Sequence, residues 1–433
     1  MLRTTALTCL SLAIVLALPA PAQSQKPLRD MLSDLFTFGD CGEPLCLDGS
    51  INADNGHGDH YLPAVASGNL ALIQFITAAI GKSVSNTPLS ATSSGATFTF
   101  VGGVPVRSTN TTGPIFAEQS RTLGRGQFFL GFNVSGVNFK SLGGVPTDRL
   151  SLNFVHQDVD PEENLGDPVR ENDIIQLQMD LNIRLLVSSL FLTYGLTDFI
   201  DVGVAIPFVR TAVSGTSNAQ IEPWGDTAVH FFSGTVDNPV LTGSSSIDGS
   251  SAGIGDITAR LKVNVGQSDK IGAAILGDVR FATGKEEELL GSGAGAVRLM
   301  GIVSAQFGGF GPHLNAGYLV RTGEIQNDAV LATLGFDNQL APWATLALDL
   351  ITEWQVGDNK IDLPHSIHFD SPFPRDLQTT PITVSRENLM TASAGTKFRV
   401  RGGTVLLANV LIPLTDAGLE PGVVWTGGLE FAF

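Results

Sequence analysis

The sequence predicts an all-β chain: an antiparallel transmembrane β-barrel of the outer-membrane type with about twelve strands, preceded by a partly helical N-terminal segment. Three observations predict it. Apolar and polar residues alternate with period two from about residue 125 onward. The joins between alternating segments are short and long by turns. Beyond the first residues, no run reaches the 18 or so consecutive apolar residues of a spanning helix.

Composition sets the same frame. The chain has 433 residues, 49 of them Gly, with only 15% charged residues, yet a net charge of −17 and a mean hydropathy of +0.20. Such a chain must present apolar surface to something other than water. Arg3, the apolar "CLSLAIVLALPA" and Ala20-Pro21-Ala22 read as a secretory signal peptide over 1–22, with Gln23 the first mature residue. Cys9 lies within that apolar run. Cys41 and Cys46 remain, and in an exported chain they are a disulfide candidate. His57 and His60 follow them, but H-x2-H is shorter than zinc spacing and the oxidising compartment favours the disulfide, so no metal is expected.

Residues 23–120 form an N-terminal periplasmic or plug segment. Within it "LPAVASGNLALIQFITAAIGKSV" predicts an amphipathic helix near 64–82, with Ser67, Gln74, Thr77 and Gly81 as a thin polar stripe. Lumen plug and plain periplasmic subdomain both stay open. The β-prone "SGATFTFVGGVPVRSTNTTGPIFAEQSRTLGRG" then leads into the barrel, 121–433.

Strands are expected at 125–140, 171–195, 200–213, 253–266, 270–283 and 295–307, then at 310–323, 328–339, 342–356, 387–400, 403–414 and 421–433. The tight joins include "GQSDK", "GGFG" and "RGG"; the long ones are 141–170, 211–250 and 357–386. Short turns belong to the periplasmic side and long loops to the outside, and an even strand count returns the chain to the periplasmic side.

Alternation assigns one face of each strand to lipid and the other to the lumen. Leu261, Val263, Ile275, Val279, Leu314, Leu346 and Leu348 belong to the lipid face. The lumen candidates are Asp201, Asp256, Arg260, Lys262, Asp278, Arg280, Arg298, His313, Arg321, Asp349, Glu353, Lys397, Arg399 and Glu430. Most are expected to pair with one another, leaving a remainder to tune selectivity. In the closing "GGLEFAF", Leu429, Phe431 and Phe433 face lipid and Glu430 faces inward.

Two chemical motifs dissolve in context. "GSGAGA" at 291–296 matches a dinucleotide-binding turn, but it follows "KEEELL" and opens no helix, so a flexible outer loop is expected. No G-x-S-x-G elbow appears, and His156, His230, His313, His365 and His368 stand at no nucleophile spacing, so no catalytic residue and no cofactor are expected.

"TYGLTDFIDVGVAIPFVR" (193–210), "SSAGIGDITARLKVNV" (250–265), "DVRFATGKEEELLGSGAGAVRL" (278–299) and "FGPHLNAGYLVRTG" (310–323) resemble a bacterial outer-membrane barrel family labelled transporters of the MetA-pathway of phenol degradation. The resemblance implies a bacterial outer-membrane channel for small hydrophobic or aromatic solutes and carries no site residue with it. The terminal aromatic strand resembles the signal read by the barrel-assembly machinery. Outer-membrane lipid and a small apolar solute are the other expected partners, and nucleic acid is not one. A structural or surface-interaction barrel is the alternative, and an outer-membrane hydrolase a further one.

Overall fold

In a computed structural model, the structure describes residues 26–38, 76–81, 98–101, 104–107, 111–156, 158, 165–166, 171–224, 230–235, 237–324, 326–358, 360, 366–383, 386, 388–400, 404–416 and 418–432. The expected leader at 1–22, Cys41, Cys46, His57, His60, positions 64–75 of the expected helix, His365 and Phe433 lie outside these residues.

The elements begin with helix α1 (Leu28–Asp34), the hairpin β1 (Phe98–Val101) and β2 (Val104–Arg107), and the long strand β3 (Phe128–Leu142). Short strands β4 (Val145–Pro146) and β5 (Leu150–Val155) precede β6 (Ile174–Gly195) and β7 (Ile200–Glu222). A small hairpin, β8 (Ser233–Thr235) and β9 (Asn238–Val240), leads to β10 (Thr242–Ile254). A run of antiparallel strands follows: β11 (Thr258–Gln267), β12 (Ile271–Arg280), β13 (Ala296–Ala305), β14 (Phe310–Arg321), β15 (Ala329–Ala341) and β16 (Ala344–Gln355). The hairpin β17 (Ser366–Phe369) and β18 (Arg375–Gln378) interrupts it before β19 (Leu389–Arg399), β20 (Thr404–Pro413), β21 (Leu419–Pro421) and β22 (Val424–Ala432).

Twelve of these close on themselves in the order β3–β6–β7–β11–β12–β13–β14–β15–β16–β19–β20–β22, and β22 pairs back onto β3 from Trp425↔Gly136 to Ala432↔Phe129. All twelve expected segments are barrel strands. Among the described residues no helix is long and apolar enough to cross a membrane. Closure matters because hydrocarbon offers no partner to a free strand edge.

The outer wall carries exposed Leu261, Ile275, Leu299, Leu314, Leu334, Leu350 and Leu406, one on each of seven strands. Ten-residue strands rising ~3.3 Å per residue and tilted by ~40° make such a belt about 25 Å tall. Aromatic rings border its short-turn edge, where Phe128 lies 4.6 Å from Tyr194, Phe310 5.3 Å from Phe336, and Trp343 stacks on Phe398 at 6.1 Å. Trp354 and Trp425 are exposed at the other edge. Rings at both interfaces fit their mixed apolar and polar character.

Two long strands depart from expectation. β7 runs 23 residues to Glu222, and β10 pairs with its upper part from Ile254↔Phe208 to Thr242↔Gln220, so much of the expected loop 211–250 is strand. Ser, Gly and Thr hide the period-two pattern in this stretch. β10 and β11 together form one long strand opposite β7, interrupted at 255–257.

Above the belt the wall turns inside out. On β6 the inward Ile175, Leu177, Leu181 and Ile183 are buried, whereas Gln178, Asp180 and Arg184 face out and are exposed. The inward residues enclose an apolar core with Leu28 and Leu32 of α1, Phe36, Phe38, and Ile76 and Ile80 of the helical residues 76–81. Ser217 Oγ donates to the Leu35 carbonyl and Ser245 Oγ to that of Asp34, both at 2.6 Å, anchoring α1 to β7 and β10. Thr77, placed on the polar stripe by periodicity, is buried in this core, because neighbouring loops cover the helix on more than one side. This helical turn therefore sits at the long-loop end of the barrel, away from the periplasmic mouth.

The β17–β18 hairpin holds a charge cluster at the long-loop surface. His368 Nδ1 lies 2.7 Å from Asp376 Oδ1, and its Nε2 lies 3.5 Å from Asp370. The hydrogen bond to Asp376, with help from Asp370, raises the imidazole above its ordinary pKa. A raised value means the contact is complete at low pH and is lost as pH rises through that raised value. NMR titration should place His368 above an ordinary imidazole, and Asp376→Asn should return it toward the ordinary value; an unshifted titration in both proteins would contradict the pairing.

Candidate functional site: the barrel lumen

Inward-facing side chains of the belt are polar, and residues 111–123 run across them. This strap follows the short-turn half of the lumen before joining β3, and residues 111–120 are all buried. Irregular backbone at membrane depth needs protein partners for its N–H and C=O groups, and the lumen side chains supply them. Thr112 N donates to Thr345 Oγ1 at 3.1 Å, Phe116 N to Asp349 at 3.4 Å and Glu118 N to Asn315 Oδ1 at 2.7 Å. Asn315 Nδ2 returns a bond to the Glu118 carbonyl at 3.0 Å. Gln119 Nε2 reaches Asp337 at 3.2 Å, Ser120 N reaches Ser304 Oγ at 3.0 Å, and Asn264 donates to the Ser120 carbonyl at 2.8 Å. Finally Leu123 N donates to both oxygens of Asp201, at 3.1 and 3.0 Å. Six strands from β16 round to β7 thus hold the strap.

The strap also brings a carboxylate of its own. Glu118 lies 2.9 Å from Arg260 and 3.6 Å from Lys262, whose ammonium is 3.9 Å from Asp201. Arg260 Nε meets Asp278 at 3.1 Å, and Arg298 Nε donates to the other oxygen of Asp278 at 2.6 Å. Nearby, Arg321 pairs with Glu353 at 2.8 Å and donates to the Asn327 carbonyl at 2.7 Å. Lys397, with no exposed surface, pairs with Glu430 at 2.8 Å. His313 Nε2 lies 2.7 Å from Asp349, with its Nδ1 3.7 Å from Asp337. Gly335 makes room for this cluster, since a Cβ there would stand 2.3 Å from both Asp349 Oδ1 and the Leu348 carbonyl.

Two of the expected lumen residues, Asp256 and Arg399, have other roles or settings. Asp256 lies on no strand: it accepts from Gly284 N at 3.0 Å and from Ser292 N and Oγ at 2.8 and 2.7 Å, in the break between β10 and β11. It therefore pins the 284–294 loop, whose Leu289 and Leu290 are buried in the long-loop core, so "GSGAGA" forms part of a packed loop. Period-two counting carried the strand through 256 because nothing local marks the break. Arg399 is half-buried at the short-turn rim, donating to the Pro342 carbonyl at 2.7 Å. Arg280 is buried at the long-loop end of β12.

Sequence reading missed Glu118 and Asp337 and, although alternation puts Asn315 on the polar face with His313, left it out of the lumen candidates; all three are central here. Glu118 had a signal in hindsight, as the lone acid of "TTGPIFAEQS". It also missed a cluster near the long loops, where buried His156 and His230 lie with ring centres 5.0 Å apart and His230 Nδ1 is 2.7 Å from Asp173. These residues come from segments far apart in the chain.

Above the strap is a cavity of about 260 Å³. Phe116 and Glu118 close its short-turn side, and its apolar lining includes Met300, Leu319, Leu331 and Ile351. Asp278, Arg280, Arg298 and Glu353 supply charge.

A closed, even-stranded antiparallel barrel with an apolar, ring-bordered outer belt and an ion-paired interior is a transmembrane β-barrel of the bacterial outer-membrane type. No protein-family model matches the sequence, and no curated protein matches it in sequence. Among solved structures, it is similar to an outer membrane channel from Pseudomonas putida F1 at 12% identity and TM-score 0.44, over 73% of this chain and 99% of that one. A deletion mutant of the TodX monoaromatic hydrocarbon channel gives 10% identity and TM-score 0.34 over 73% and 91%. A FadL homologue from Pseudomonas aeruginosa gives 10% and 0.29 over 71% and 88%.

Three variants test this interior. Gly335→Ala should destabilise the barrel by about 2 kcal/mol, because backbone as well as the His313–Asp349 pair must move. Lys397→Ala should cost about 3–5 kcal/mol by stranding Glu430, whereas Lys397→Met with Glu430→Leu should return near wild type. Urea unfolding of the detergent-folded protein reads all three; equal losses for the single and paired changes would refute the buried-pair account.

Proposed function

We propose that the barrel is a channel for small apolar or aromatic solutes, which pass through the cavity above the strap. The observation that carries this is the cavity itself: about 260 Å³, with aliphatic side chains beside Asp278, Arg298 and Glu353, each already held in an ion pair. Drug-sized ligands occupy pockets of roughly 300–1,000 Å³, so this one suits a solute of about one ring. A solute there gains apolar contact without having to break an ion pair. The strap across the lower lumen favours such stepwise passage over open ionic flow.

The resemblance of 193–210, 250–265, 278–299 and 310–323 to transporters of the MetA-pathway of phenol degradation supports the same solute class. The lumen residues named from the sequence, Asp256 and Arg399 apart, are on this reading chiefly the frame of the pathway, with Arg298 and Glu353 at its wall. The N-terminal segment acts as a plug in the lumen. The alternating β22, with Leu429 and Phe431 outward and Glu430 inward, suits recognition by the barrel-assembly machinery.

In cells expressing the protein in their outer membrane, initial uptake of radiolabelled toluene should exceed that of the empty-vector control. Leu331→Trp, which fills the cavity, should cut the excess by about tenfold, the equivalent of ~1.4 kcal/mol added to the barrier to passage. Uptake by wild type no greater than by the control would remove the channel reading.

A further inference from the structure

The inside-out upper wall formed by β6, β7 and β10 has an outer face whose rows are fixed by strand register. Gln178, Asn218 and Ser244 stand side by side on the three strands. Above them the row is Gln176, Gln220 and Thr242; below, it is Asp180, Thr216 and Ser246. The inner side of these strands is sealed by the apolar core, so this face has no part in the lumen.

The face continues the lipid-facing wall without a break. Phe208 and Ile254, paired and exposed, end the apolar belt. Immediately beyond, Arg210 and Arg184 are exposed on β7 and β6, and Lys140 is exposed on the same side of β3, two residues past Asn138, which pairs with Arg184. A lipid packed against Phe208 and Ile254 places its head group at these three cations. Of the acids of the face, Asp248 stands in the row of Asn182 and Ser214, directly above that of Arg184, Asp180 lies one row higher, and Glu222 is at the top.

We infer that this face binds the phosphorylated glycolipid of the outer leaflet, its phosphates on Arg184, Arg210 and Lys140 and its sugars on the amide and hydroxyl rows. Guanidinium groups pair with phosphate through parallel N–H bonds. Asn, Gln, Ser and Thr both donate and accept, as sugar hydroxyls require. Height decides against an ordinary phospholipid: ten residues from Leu186 to Gln176 run roughly 33 Å along the strand, about 25 Å of height at a tilt of ~40°, far beyond the reach of a small head group. The same wall is not repeated elsewhere among the described residues, since the other barrel strands end at the belt apart from β3.

The test is native mass spectrometry of the full-length, detergent-folded barrel with three probes: lipopolysaccharide carrying its core sugars, lipid A alone, and phosphatidylglycerol. Wild type should retain lipopolysaccharide in preference to phosphatidylglycerol. Arg184→Ser with Arg210→Ser should weaken binding of lipopolysaccharide and lipid A by about thirtyfold, at the usual worth of a basic residue near an anionic lipid surface. Gln178→Ala with Asn218→Ala and Ser244→Ala should weaken lipopolysaccharide while leaving lipid A unchanged. Heat-modifiable migration on a gel verifies folding of each variant. Equal retention of lipopolysaccharide and phosphatidylglycerol by wild type, or undiminished lipopolysaccharide binding by either variant, would overturn the assignment.

Discussion

The pairing of β22 with β3 is the constraint on which the rest depends. Without the rungs from Trp425↔Gly136 to Ala432↔Phe129, both strands would present unpaired N–H and C=O groups to hydrocarbon, at several kcal/mol each. Closure makes the period-two alternation consistent around the whole wall: each strand gives one face to lipid and one to the interior. Lipid-facing leucines and inward charges follow from the same geometry.

Closure also creates a confined interior, and charges inside it are expensive unless paired. The wall answers with pairs between its strands, Arg298 with Asp278 on the adjacent strand and Arg321 with Glu353 across one intervening strand. The strap completes what the wall leaves. Glu118 stands between Arg260 and Lys262, while Asn315, Ser304 and Asp201 take strap backbone groups. Wall and strap therefore satisfy one another, and the cavity lies where that packing gives way to Leu319, Leu331 and Ile351. A solute site in this protein is what remains after the charges have been paired.

Where strands rise out of the bilayer, the solvent changes and the faces exchange roles. On β6 the outward positions become Arg184, Asp180 and Gln178 while the inward ones become Ile183, Leu181 and Leu177. One alternating strand serves two environments because period two fixes only that the faces differ. The apolar inner face of the upper wall needs cover, and α1 with residues 76–81 supplies it. Fixed at the long-loop end there and at the short-turn end by 111–123, the N-terminal segment touches both ends of the lumen.

The barrel was legible in the sequence because its strands alternate locally and its short turns carry Gly and Asp. Residues such as Arg260 and Asp278 could be placed on the inner face from their own neighbours. Their partners could not: Glu118 is 142 residues from Arg260, and Asp337 meets Gln119 across 218. Likewise Ser and Gly obscure β10, and alternation alone carries a strand through Asp256, whose hydrogen-bond donors lie about thirty residues further on. The sequence by itself determined the strand count, the register of faces and the membrane-facing belt, since these depend on spacing within one strand. Only the tertiary structure decided which charges meet, where the strap runs and where a solute fits, since those depend on which segments closure brings together.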